Sequence, residues 1–187
     1  MLALIAMVTI GGLVMCAFSG PYMDASASDR IDFWGQANRE FKQQPFFGVG
    51  YLALNDYIAE DRAPHNAFVL CYTELGLFGY WFWFTILVMA VIGAWRARVA
   101  LRGSALAEGR YVSRFAGLAI AATMGFLASA YFLSRAYVYP LFFLFVILAA
   151  VAVIARPLVP DQTRPLSLVG RDLFVYGTIG TGGSIVY

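Results

Sequence analysis

The chain has 187 residues, 61% of them hydrophobic and 13% charged, with a formal net charge of +2 and a mean hydropathy of +0.72. An average soluble domain has about 45–50% apolar and 25% charged residues, so this composition excludes a water-soluble globular protein, whose surface would be covered in apolar patches. Lipid removes that problem, and a small net charge summed over separate regions gives no reason to expect nucleic acid as a partner.

A helix crossing a bilayer needs about 20 consecutive residues free of costly ions. Residues 1–23 carry no formal charge and have an apolar heart at 2–18, so they are the first expected span. The small residues Ala25, Ser26 and Ala27 resemble a signal-peptide cleavage site, but no Lys or Arg precedes the apolar core, which favours a genuine span. Such a first span implies further transmembrane helices upstream that this chain does not contain.

Residues 19–64 form a polar loop. Within it, 29–44 reads as a short amphipathic helix: Phe33, Trp34, Ala37 and Phe41 recur at helical spacing, with Arg30, Gln36, Arg39, Glu40 and Gln43 between them. Ser28 or Asp29 is the expected cap and Pro45 the stop. This helix is expected to lie along the membrane face with Trp34 among the headgroups. Gly48, Val49 and Gly50 then turn the chain back, and Pro64 precedes the chain's single histidine, His65, and Asn66 at the mouth of the next span.

The second span is expected at 75–95. The connection after it holds Arg96, Arg98, Arg102, Arg110 and Arg114 against Glu108, the excess of positive charge that marks a cytoplasmic loop and also meets anionic headgroups. Spans at 115–134 and 136–155, joined by a turn carrying Arg135, bring the total to about four. The expected fold class is therefore an all-α polytopic membrane protein, with 1–155 as the membrane domain and loop 19–64 outside, which in a bacterium means the periplasmic side of the inner membrane. The tail, 156–187, carries Pro157, Pro160, Pro165 and a glycine-rich end, and is expected to be flexible and cytoplasmic. Cys16 and Cys71 stand alone, without Cys/His spacing, so neither a metal site nor a cofactor is expected.

An arginine on an amphipathic helix ordinarily faces water, and a lone histidine at a helix start is ordinarily a hydrogen-bonding cap. Their significance comes from standing together on one loop. Arg30 followed after three intervening residues by Trp34, then Gln44-Pro45-Phe46-Phe47-Gly48-Val49-Gly50, then Pro64-His65-Asn66, then Glu74-Leu75-Gly76-Leu77-Phe78-Gly79, resembles the signature of the O-antigen ligase and polymerase family of bacterial membrane glycosyltransferases. The resemblance covers about 1–155 and corresponds to the later part of such proteins.

That resemblance implies an undecaprenyl-diphosphate-linked glycan as donor and a hydroxyl of lipid A-core, glycan or protein as acceptor, with no metal. It places Arg30 on the diphosphate and His65 on the acceptor hydroxyl. Arginine suits the first task because its planar, permanently charged fork matches phosphate oxygens. Arg39, Arg62 and Asn66 are further substrate-binding candidates from the same loop.

Glu74, about two turns below the outer surface, is ionisable inside the membrane and therefore a functional candidate by default. Structural pairing with Arg135 is the favoured reading, with Gly76 and Gly79 allowing close helix approach. The aromatic run from Tyr80 to Phe84 is expected to be lipid-facing and packing surface. The competing view of the whole chain is a non-catalytic helical module of a transporter or a polysaccharide-assembly complex, for which polar or broken helices near the midplane are expected.

Overall fold

The computed structural model describes residues 25–58, 65–134, 136–159 and 171–185. Among these the chain is all α. Its helices are α1 (Ala25–Gln43), α2 (Leu54–Tyr57), α3 (Ala67–Ala100), α4 (Ala107–Ala130), α5 (Tyr139–Ala155) and α6 (Arg171–Ser184), with a 3-10 turn at Arg156–Leu158. Helices α3 and α4, and α5 with its 3-10 extension, are long and apolar enough to cross a membrane. The expected first span, Arg62, Pro64 and Arg135 lie outside the described residues.

Helix α3 is the spine: α1, α4, α5 and α6 all pack on it, and α4 also packs on α5. Asn66 fixes its start, with Oδ1 accepting the backbone N–H of Phe68 at 2.9 Å and of Val69 at 3.2 Å. The 34 residues of α3 would extend about 50 Å at ~1.5 Å per residue, well beyond a hydrocarbon core of about 30 Å. Its first turns therefore belong to the part of the molecule that α1 covers.

The helix is broken at Gly76, where φ is 64° and ψ −175°. In a straight helix the N–H groups of Leu77 and Phe78 would bond the carbonyls of Thr73 and Glu74. Here Leu77 N–H donates to Pro45 O at 2.8 Å and Phe78 N–H to Phe46 O at 3.1 Å, while Thr73 O and Glu74 O accept from Val49 N–H and Gly50 N–H, both at 3.0 Å. Loop 44–50 is thus inserted into the break and supplies partners for these four backbone groups. The approach requires glycine on both sides. A Cβ on Gly76 would strike the backbone of Phe46 and Gly48, and one on Gly48, at φ 68°, would strike the carbonyls of Thr73 and Glu74.

Two differently built cores line the spine, and the larger one spans this junction. On the His65 side, Phe33, Trp34 and Phe41 of α1 meet Phe68, Tyr72 and Tyr80 of α3 and Tyr131 after α4. At the arginine end the contacts are small: Ala90, Ala94 and Ala97 of α3 face Ala116 and Ala119 of α4 and Val151 and Ala155 of α5, the composition that lets membrane helices approach closely. The aromatic run divides rather than acting as one surface. Tyr80, Trp83 and Phe84 are buried, with Trp83 Nε1 donating to Ala136 O at 3.2 Å, whereas Phe82 is exposed.

The glycine-rich tail is not a flexible end over 171–184. It folds as α6, antiparallel to α3: Tyr176 accepts from Arg96 near the arginine end at 3.3 Å, and Tyr80 donates to Ser184 farther up at 2.9 Å. Gly177 lies against Trp81 and Thr85, and Gly180 against Phe84. The glycines and the Thr181 and Ser184 four residues after them form a small-xxx-small surface for close packing, so the residues read as flexible are those that fit α6 to an aromatic helix.

The junction generates a direct test. Gly76→Ala and Gly48→Ala should each lower stability in detergent by more than ~1 kcal/mol, since positive φ and backbone collision both act, and amide exchange at 45–50 should quicken. Gly35→Ala, whose Cβ would meet nothing on α1, should be neutral or stabilising by up to ~1 kcal/mol. Unchanged exchange at 45–50 in Gly76→Ala would show that the loop does not depend on the break.

Candidate functional site

Among the described residues, His65 and Asn66 stand at the end of the bundle where α3 begins and α4 ends, and α1, which carries Arg30 and Arg39, packs at the same end. The backbone N–H of His65 donates to Ser134 Oγ at 3.0 Å, which ties the start of α3 to the turn after α4. Its φ is 47°, a left-handed conformation uncommon outside glycine, and its exposed side chain stands at that corner. Three residues before Ser134, Tyr131 meets Trp34 edge-on at 5.9 Å and Phe68 at 6.4 Å. Farther along α1, Tyr72 donates to Asn38 Oδ1 at 2.5 Å and packs against Phe41 at 5.1 Å. Helix α1 is thereby laid across α3 and the end of α4.

The packing separates the two arginines of α1. Arg30 falls three and four residues before Phe33 and Trp34, on the stripe that continues to Ala37 and Phe41, and it is half-buried. Arg39 is exposed. Nine residues at about 100° each place the two on roughly opposite sides of the helix, so only Arg30 is directed to the side that carries Trp34 and Tyr131.

Two expectations are corrected here. Trp34 is not among headgroups: it is buried between α1 and the end of α4, because the apolar stripe has protein to cover. Asn66 is fully buried, its Oδ1 committed to two backbone N–H groups and its Nδ2 enclosed without a partner. It builds the mouth of α3.

Glu74 is also buried, beneath loop 48–54. Its carboxylate faces the backbone N–H groups of Leu52 and Leu54 and the hydroxyl of Tyr137, while Oε2 has no hydrogen-bond partner. The close approach at Gly76 is made by loop 44–50 rather than by another helix, and a Cβ on Gly79 would meet Leu75 of its own helix; the expected pairing of Glu74 with Arg135 lies outside the described residues. Tyr137, in the connection between α4 and α5, is half-buried beside Cys71 and Glu74.

Beside these residues, a cleft of about 630 Å³ opens between the end of α4 and the start of α5, lined by Phe126, Ser129, Leu133, Val138, Tyr139 and Pro140 among others. The Ser134 contact to His65, the Glu74 contact to the 52–54 backbone, and this cleft have no local periodic signal. A hint existed only in the glycine that follows Glu74-Leu75, since glycine inside a membrane helix often marks close backbone approach.

Fold and site together define a polytopic all-α membrane protein with a capped polar end. In comparisons with known proteins, no family model, curated sequence or solved structure matches the chain.

The Glu74 geometry predicts a graded series. Glu74→Gln keeps an acceptor for the Leu52 and Leu54 N–H groups and should leave proteolysis of 51–58 close to wild type. Glu74→Leu strands those donors at about 1–3 kcal/mol and should make the same segment several-fold more sensitive. Equal sensitivity of the two variants would show that the carboxylate does not hold the loop.

Proposed function

We propose that the chain is part of a membrane glycosyltransferase that passes a glycan from a polyprenyl diphosphate to an acceptor hydroxyl. The observation that carries this reading is the gathering of its sequence motifs at one end: Arg30 on the inward stripe of α1, His65 at the corner tied to Ser134, and loop 44–50 locked into α3 at Gly76. Residues that are dispersed in sequence thereby lie on elements that pack together.

In the proposed reaction the acceptor oxygen bonds to the anomeric carbon of the sugar as the bond from that carbon to the diphosphate oxygen breaks. The electron pair leaves with the diphosphate. Arg30 opposes the charge growing there, and His65 orients the acceptor and takes its proton. The apolar cleft between α4 and α5 offers a seat for the prenyl tail within the same end of the bundle. Arg39, facing away, drops to a peripheral role, and Asn66 becomes a structural residue.

One observation speaks for the packing-module alternative: a broken transmembrane helix is the feature expected of a transporter. At Gly76, however, four of the freed groups are bonded to loop 44–50, and the break lies near the start of α3 rather than at its middle. The transferase reading is the stronger of the two.

Arg30→Lys keeps the charge but loses the planar fork, and should still reduce transfer at least about tenfold. His65→Ala should reduce transfer by about 10²–10⁴ while donor binding persists. Both are measured by glycan transfer in cells in the parent protein, with membrane abundance followed by immunoblot. Full transfer by both variants at normal abundance sinks the proposal.

The proposed site faces the periplasm. Single cysteines at Ser28 or Ser104, in a Cys16→Ser, Cys71→Ala background, should differ toward an impermeant thiol reagent added to intact cells. Labelling at Ser28 alone is expected from the arginine bias; labelling at Ser104 alone would reverse the orientation and remove the periplasmic reaction.

A further inference from the structure

We propose that the end of the bundle opposite His65 holds a specific site for one anionic phospholipid, on the edge of α4 that borders α3. Three guanidinium groups form it. Arg110 and Arg114 lie one turn apart on α4, and Gly117 continues the same face at the i, i+4, i+7 spacing. Gly117 carries no side chain of its own, and the Arg98 guanidinium from α3 lies across it, Nη1 occupying the place a Cβ would take.

The arrangement is built rather than incidental. Arg110 Nη1 donates to the carbonyls of Ser104 at 3.0 Å and Ala105 at 2.7 Å, which holds that side chain in place with its other N–H groups still available. Ser113 Oγ donates to the Arg98 carbonyl at 2.9 Å, fixing the two helices in register beneath the arginines. No ion pair joins Arg98, Arg110 or Arg114 to a carboxylate among the described residues. Glu108, two residues before Arg110, projects from roughly the opposite side of α4.

The position selects a lipid as occupant. The Arg98 guanidinium lies beside Gly117, inside the uncharged run that begins at Phe115. A charge at that depth is costly unless an anion or water reaches it. A phospholipid phosphate can do so because its acyl chains share the depth. On the side of the arginine edge away from α3, Tyr111 and Phe115 stack at 6.5 Å with an interplanar angle of 11°, and Leu118 is exposed on the same side. That apolar face would receive the acyl chains while the arginines take the phosphate.

The test uses the full chain in mild detergent, with phosphatidylglycerol or phosphatidylcholine titrated and bound lipid counted by native mass spectrometry. One phosphatidylglycerol should be retained in preference to phosphatidylcholine, and a large excess of inorganic phosphate should not displace it. Arg98→Gln with Arg114→Gln should weaken retention on the order of 10–30-fold, as expected for two surface arginines. Gly117→Ala keeps every charge and suits a helix, so folding is protected, yet it removes the seat of Arg98 and should weaken retention several-fold. Arg102→Gln, in the exposed turn beyond the edge, should change retention less than about twofold. Equal retention of the two lipids, an effect of Arg102→Gln as large as that of the double variant, no effect of Gly117→Ala, or displacement by inorganic phosphate would each overturn the proposal.

Discussion

The backbone exchange between loop 44–50 and the break at Gly76 is the constraint on which the rest of the His65 end depends. A membrane helix cannot leave donors and acceptors unpaired in lipid, so a break in α3 is tolerable only with a polar backbone brought to it. The loop supplies two carbonyls and two N–H groups in the required order. Because the loop follows α1 directly, the same exchange fixes where α1 lies across α3. Once α1 is placed, its stripe meets Tyr131 and Tyr72, and Arg30 is carried inward with it.

The spine therefore does two jobs with two kinds of contact. Toward Arg96 its alanines allow α4 and α5 to approach closely, and packing of this kind is dense and short-ranged. Toward Asn66 its aromatic residues meet α1 and the 131–137 connection, and the polar atoms there are held by individual hydrogen bonds such as Tyr72 to Asn38 and His65 to Ser134. The division follows from length: α3 is longer than a hydrocarbon core is thick, so one part of it can be covered by a polar, loop-bearing cap. The proposed chemistry at His65 and the proposed lipid site near Arg98 belong to these two ends and do not share residues.

Much of this architecture was legible because it depends on uncharged length and helical period. The spans in α3, α4 and α5 follow from runs without ions, and α1 from Phe33, Trp34, Ala37 and Phe41; the helix nevertheless begins at Ala25, ahead of the expected cap. What was not legible depends on distant partners. Gly76 reads as a small residue for helix packing until Gly48 is placed against it, and Trp34 reads as an interfacial anchor until Tyr131 is placed beside it. The glycines of α6 show the same ambiguity. Low side-chain volume signals flexibility in a free chain and tight contact beside Trp81 and Phe84, and sequence alone does not say which neighbour is present. Within the candidate site, the inward placement of Arg30 and the outward placement of Arg39 were implicit in helical phase, whereas the committed cap of Asn66 required the geometry of α3.

The loop that fills the break also turns two large side chains outward. Phe46 and Phe47 are 69% and 75% exposed, and Phe47 packs against Phe78, itself 60% exposed, just beyond Gly76 on α3. Apolar rings in that position are stable where acyl chains reach them and unfavourable in water. These rings make the protein surface apolar at the level of the junction, directly outside the polar backbone that fills the break.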